Sequence, residues 1–106
     1  MRGVKCAVLF DREAEGLTGA ELLWLAAADS DPRRDVTVVG EVVVVDARSK
    51  RPGVEGHPAR FPNVAVASSA TVERVDARWV EYGLGETMAS PSERYRRLLL
   101  SDKAAW

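Results

Sequence analysis

The 106 residues predict a small α+β fold: a mixed sheet of about four strands with two helices packed on one face. Three observations carry that prediction. The first is the run Asp35–Ala47, DVTVVGEVVVVDA, in which seven valines fall between positions 36 and 45. Branching at Cβ stiffens a side chain and suits a pleated sheet better than a helix. The second is a pair of helix starts with complete capping signals, at Thr18 and Ser90. The third is the order of these patterns, which alternate strand and helix early and then group.

Taken in order, Val4–Phe10, VKCAVLF, reads as a buried strand. Thr18 with Glu21 three residues on forms a capping box, and Leu17 and Leu22 occupy the two positions of a hydrophobic staple. The helix runs from about Gly19 to Ala28, and Asp29, Ser30, Asp31 and Pro32 end it. The valine run follows as the central strand, with Gly40 as a bulge or bend. Val42–Val45 is continuously apolar, so both of its faces should be covered.

A long loop, ARSKRPGVEGHPARFPN, comes next, punctuated by three prolines and two glycines. Val64 to Ala70 alternates weakly and is expected to form a strand with one small face. The segment Thr71–Tyr82 fits two patterns. Its β-branched and aromatic content favours a strand, giving the order β-α-β-β-β-α. The alternative is a helix with Val72, Val75, Trp79 and Tyr82 in one stripe and Gly83 at its end, giving β-α-β-β-α-α. Ser90, Pro91 and Glu93 then start a helix expected to reach about Asp102.

A chain of this length is expected to be one domain, 1–106, burying roughly two thirds of its unfolded surface without staples. One cysteine excludes an internal disulfide, and one Cys with one His excludes a Cys2His2 zinc site. No apolar run reaches the roughly 18 residues of a membrane span, and the N-terminus has no signal-peptide pattern. The expectation is a cytoplasmic protein with no membrane partner, no cofactor and no metal.

Net charge is −1 at pH 7, which argues against a general polyanion binder. The charge is unevenly spread: Met1–Ala47 carries nine acids against five bases, while Arg48–Pro62 carries four bases against one acid. This loop is the strongest site candidate, with Arg48, Lys50, Arg51, His57 and Arg60 placed to contact a partner surface or phosphates. A charged loop is also often only solvated surface. Phe61 is the one aromatic within it, so base stacking has little support.

Other constellations are weaker. Asp11 and Asp46 each follow a strand, where ligands bind in parallel sheets, but an acid there can simply end the strand. Cys6 and His57 lack a third orienting group, and Ser68 and Ser69 lack a GxSxG setting. No catalytic set is identified. The helix after Thr18 is apolar around more than half of its circumference, and Trp24 lies on it. Trp24 and Trp106 are therefore expected at an interface, where tryptophan is enriched. The functional expectation is a small non-enzymatic interaction module, homo-oligomeric or bound to another protein, with the basic loop protruding. Nucleic-acid binding through that loop is the alternative, and a ligand-binding or enzymatic domain using the strand-end acids is a second.

Overall fold

The structure, a computed structural model, describes residues 3–101. It is a small α+β fold with a three-stranded mixed sheet and about five helices. The chain divides into two compact units, one running to Pro62 and one beginning at Asn63.

The first unit holds the sheet. Strand β1 spans Cys6–Leu9, helix α1 Gly19–Asp29, the single-turn helix α2 Pro32–Asp35, β2 Val36–Val39 and β3 Val42–Asp46. The sheet order is β1-β3-β2, with β1 parallel and β2 antiparallel to β3. The valine run is therefore not one strand. Gly40 and Glu41 turn it into a two-residue hairpin, with Val39 opposite Val42. Gly40 has φ +60, and among the described residues none other than glycine has a positive φ. That is the sign pattern of a type II′ turn, whose twist matches a hairpin and whose first central position favours glycine. A Gly within a valine run thus marks a reversal rather than a bulge.

The expectation of a covered central strand is half met. Val42–Asp46 is central, paired on both sides, but Val43 is 38 % exposed. Val36–Val39 is an edge with every residue exposed. The first strand is shorter than Val4–Phe10 and, apart from half-buried Ala7, is exposed rather than buried. The sheet has three strands rather than the four expected, and the helix that begins at Pro91 belongs to the other unit, so the expected packing of two helices on one face is not observed. The buried apolar residues of this unit are Ala14, Leu17, Leu25, Ala47 and Phe61.

Helix α1 begins as its sequence dictates. Thr18 Oγ1 accepts from the Glu21 amide, and Glu21 Oε1 accepts from the Thr18 amide. It ends at Asp29, and Pro32 then starts α2, whose missing N–H suits a first helical position.

The second unit is helical where strands were expected. α3 spans Ser69–Ala77, α4 Trp79–Tyr82 and α5 Pro91–Tyr95. The helical alternative for Thr71–Tyr82 is the correct one, and Val64–Ala70 is not a strand. The reasons are local. Ser68 caps α3 by accepting from the Thr71 amide. The Ala67 backbone is held by side chains, its N–H donating to Ser92 and its carbonyl accepting from Arg96. A left-handed Gly83 closes α4. α5 gives way to a 3-10 turn, Arg96–Leu98, short of the Asp102 expected. Beyond it, Asn63 takes the helix's place as hydrogen-bond partner, accepting from the Leu100 amide and donating to the Ser101 carbonyl.

A Cβ built on Gly40 meets nothing within 4 Å, so Gly40→Ala should cost backbone strain alone. The expected loss is about 1–2 kcal/mol of unfolding free energy by urea titration.

Candidate functional site

The parallel pairing of β1 with β3 brings Asp11 and Asp46 to one edge of the sheet, with Leu9 opposite Asp46. Between that edge, the end of α1 and α2 lies Lys50, 2 % exposed. A lysine is almost never buried without partners, and this one has several. Its Nζ donates to the carbonyls of Asp29 (3.0 Å) and Asp46, and lies 3.5 Å from Asp35 Oδ2 and 3.8 Å from Asp46 Oδ1. The Phe61 ring centroid lies 6.0 Å away, a cation–π contact.

Asp35 is the second buried charge. It accepts two bonds from Arg34 (2.8 and 2.7 Å) and one from the Asp31 amide. Burial alone would raise its pKa, but the Arg34 hydrogen bond, the Asp31 amide and Lys50 together hold it below the ordinary value. The Arg48 hydrogen bond depresses Asp46 to about 2 against the opposing effect of burial. Asp29 moves the other way, to about 6. Burial raises it most, Lys50 opposes, and Asp11 adds repulsion. Asp11 itself accepts from the Ser49 amide (2.9 Å) and the Ser49 hydroxyl.

These contacts redistribute the expected site residues. Arg48 is exposed but folds back on Asp46, at 2.9 and 3.0 Å. Lys50 is inside. Arg51 is exposed, and its carbonyl meets His57 Nδ1 at 2.8 Å. Arg60 is exposed and makes no ion pair or hydrogen bond among the described residues. It lines a cavity of about 320 Å³ with Asp29, Asp31, Arg34 and Phe61. Asp11 and Asp46 share an edge, yet each carboxylate is already engaged by residues 48–50. Cys6 is exposed on β1, and no group of three or more His, Cys, Asp or Glu fit for a metal occurs among the described residues. Trp106 lies outside the described residues.

On α1 the inward positions are Leu22, Leu25 and Ala26. Ala20, Leu23, Trp24 and Ala27, spaced three and four apart, make an exposed apolar stripe, with Leu23 at 71 % and Trp24 at 42 %. On β2, Val38 is 67 % and Val39 61 % exposed. The buried Lys50 and the open β2 edge are the features that sequence reasoning missed. Four acids in the elements before one loop lysine, Asp11, Asp29, Asp35 and Asp46, were the available signal for the first. Gly40 was the signal for the second.

In the second unit Val72, Val75, Trp79, Met88 and Pro91 line an open apolar cleft. Trp79 Nε1 donates to the carbonyls of Gly85 and Glu86, which pins the glycine loop beside it.

No family model, curated protein or solved structure matches the chain. No helix among the described residues is long and apolar enough to cross a membrane.

Lys50→Met should cost about 2–3 kcal/mol in urea unfolding, because it leaves the Asp29 and Asp46 carbonyls without their donor and takes one of its two cationic partners from Asp35. The raised Asp29 gives a pH signature. Its folded pKa, about 6, exceeds the ordinary 3.8, so its contribution is complete below about pH 4 and lost as pH rises through 6. Asp29→Asn should flatten the stability–pH curve in that window, measured as urea midpoints.

Proposed function

We propose that the chain is a non-enzymatic assembly module that joins further copies of itself through the apolar surface of its first unit. The observation that carries this reading is the exposure of Leu23, Val38 and Val39, at 71, 67 and 61 %. Scattered single apolar residues are ordinary on a surface, but a helix stripe and a sheet edge together are the kind of surface that partners cover. A net charge of −1 imposes little repulsion between copies.

The loop 48–62 plays a smaller part than its composition suggests. Arg48 and Lys50 already have acidic partners within the unit, and His57 already meets the Arg51 carbonyl. A phosphate would find two fewer cations than the sequence offers, which favours self-assembly over nucleic-acid binding.

Light scattering on a size-exclusion column, run from low to high micromolar protein, tests the reading. The expected mass is a multiple of 11.6 kDa at the upper concentrations. A monomer throughout the range overturns it.

A further inference from the structure

The sheet has an open edge at β2, and its backbone geometry can be read from the contacts of β3. Val43 donates its N–H to Lys5 on the β1 side, at 3.0 Å. Successive residues of a strand face opposite neighbours, so Val42 and Val44 are the residues of β3 that bond β2. Their opposites are Val39 and Thr37. It follows that Val36 and Val38 direct their N–H and C=O groups away from the sheet. That array is a template for one more strand.

We infer that the occupant is β2 of a second copy, paired antiparallel about a twofold axis at Thr37. The inference rests on the self-assembly reading and names its seam. In this register Val36 faces the partner's Val38 and Val38 the partner's Val36. Both are pairs of outward residues, so the two strands exchange four hydrogen bonds and the two sheets become one of six strands. Thr37 meets its own copy at a non-hydrogen-bonded position, where threonine pairs are favourable. No side chain from Val36 to Val39 is charged. Charges stand at the ends instead, and they match. Arg33, exposed and without an ion pair among the described residues, comes to the end of the seam where the partner's turn carries Glu41. The side chain of Glu41 is 92 % exposed, and its one ion pair among the described residues, with Lys5, is 3.8 Å long. The twofold makes that match twice. The other edge, β1, suits the role less well because Lys5 precedes it, and an edge lysine opposes strand addition.

The test places single cysteines in a Cys6→Ser background. Opposed residues at a non-hydrogen-bonded position have Cα atoms about 4.5 Å apart, within disulfide reach. Thr37→Cys should form a covalent dimer under glutathione disulfide on non-reducing electrophoresis, while Ala7→Cys on β1 and Ala59→Cys on the loop should not. Val38→Lys replaces a residue already exposed and should weaken association at least tenfold by light scattering, whereas Val80→Lys, at a 93 % exposed position of the second unit, should leave it within threefold. If the parent chain associates but Thr37→Cys does not cross-link above Ala59→Cys, or Ala7→Cys cross-links instead, the seam is wrong and the assembly reading stands. If Val38→Lys associates as tightly as the parent, the seam is likewise overturned. A parent chain that is monomeric removes both.

Discussion

Lys50 is the constraint on which the first unit depends. One ammonium with three donors is shared among the end of α1, the end of β3 and the buried carboxylate of α2. Of those elements β3 has five residues and α2 is a single turn. Isolated turns and short strands have little stability of their own. A buried charge supplies what a small apolar core cannot: removing any partner leaves another group unsatisfied, so the elements stand or fall together. The same contacts draw residues 48–50 over the strand ends and leave Asp11 and Asp46 engaged.

That arrangement changes how the charge of the chain should be understood. The acidic first half and the basic loop look like separate features of the sequence. In the fold part of each joins one network, in which Arg34, Arg48 and Lys50 meet Asp35 and Asp46. Two of the four cations of the loop are engaged within the unit in this way, which is why the proposed function rests on a sheet edge rather than on a charged arm.

Much of the fold was legible in the residues, and the failures have physical causes. The capping box at Thr18 and the Ser90–Pro91 start were readable because caps are local chemistry. The β class of the valine run was readable from side-chain branching. Its division into two strands was not, since a glycine in such a run fits a bulge as well as a turn. Thr71–Tyr82 went to helix because the Ser68 cap and the left-handed Gly83 outweigh the intrinsic preference of its valines and tryptophan. The end of α5 depends on Asn63, 37 residues before Leu100, and no local pattern contains that. The burial of Lys50 was not legible in the loop that carries it, because it depends on acids brought together only by strand pairing.

The enclosure of Lys50 has a chemical corollary. Its amine lies under the Phe61 ring with its donors occupied, whereas the side chain of Lys5 is 77 % exposed. Reagents that acylate or alkylate amines would therefore label Lys5 readily and pass Lys50 by. Reactivity at that one nitrogen becomes an internal gauge of whether the strand ends, the α1 terminus and the α2 turn are still gathered.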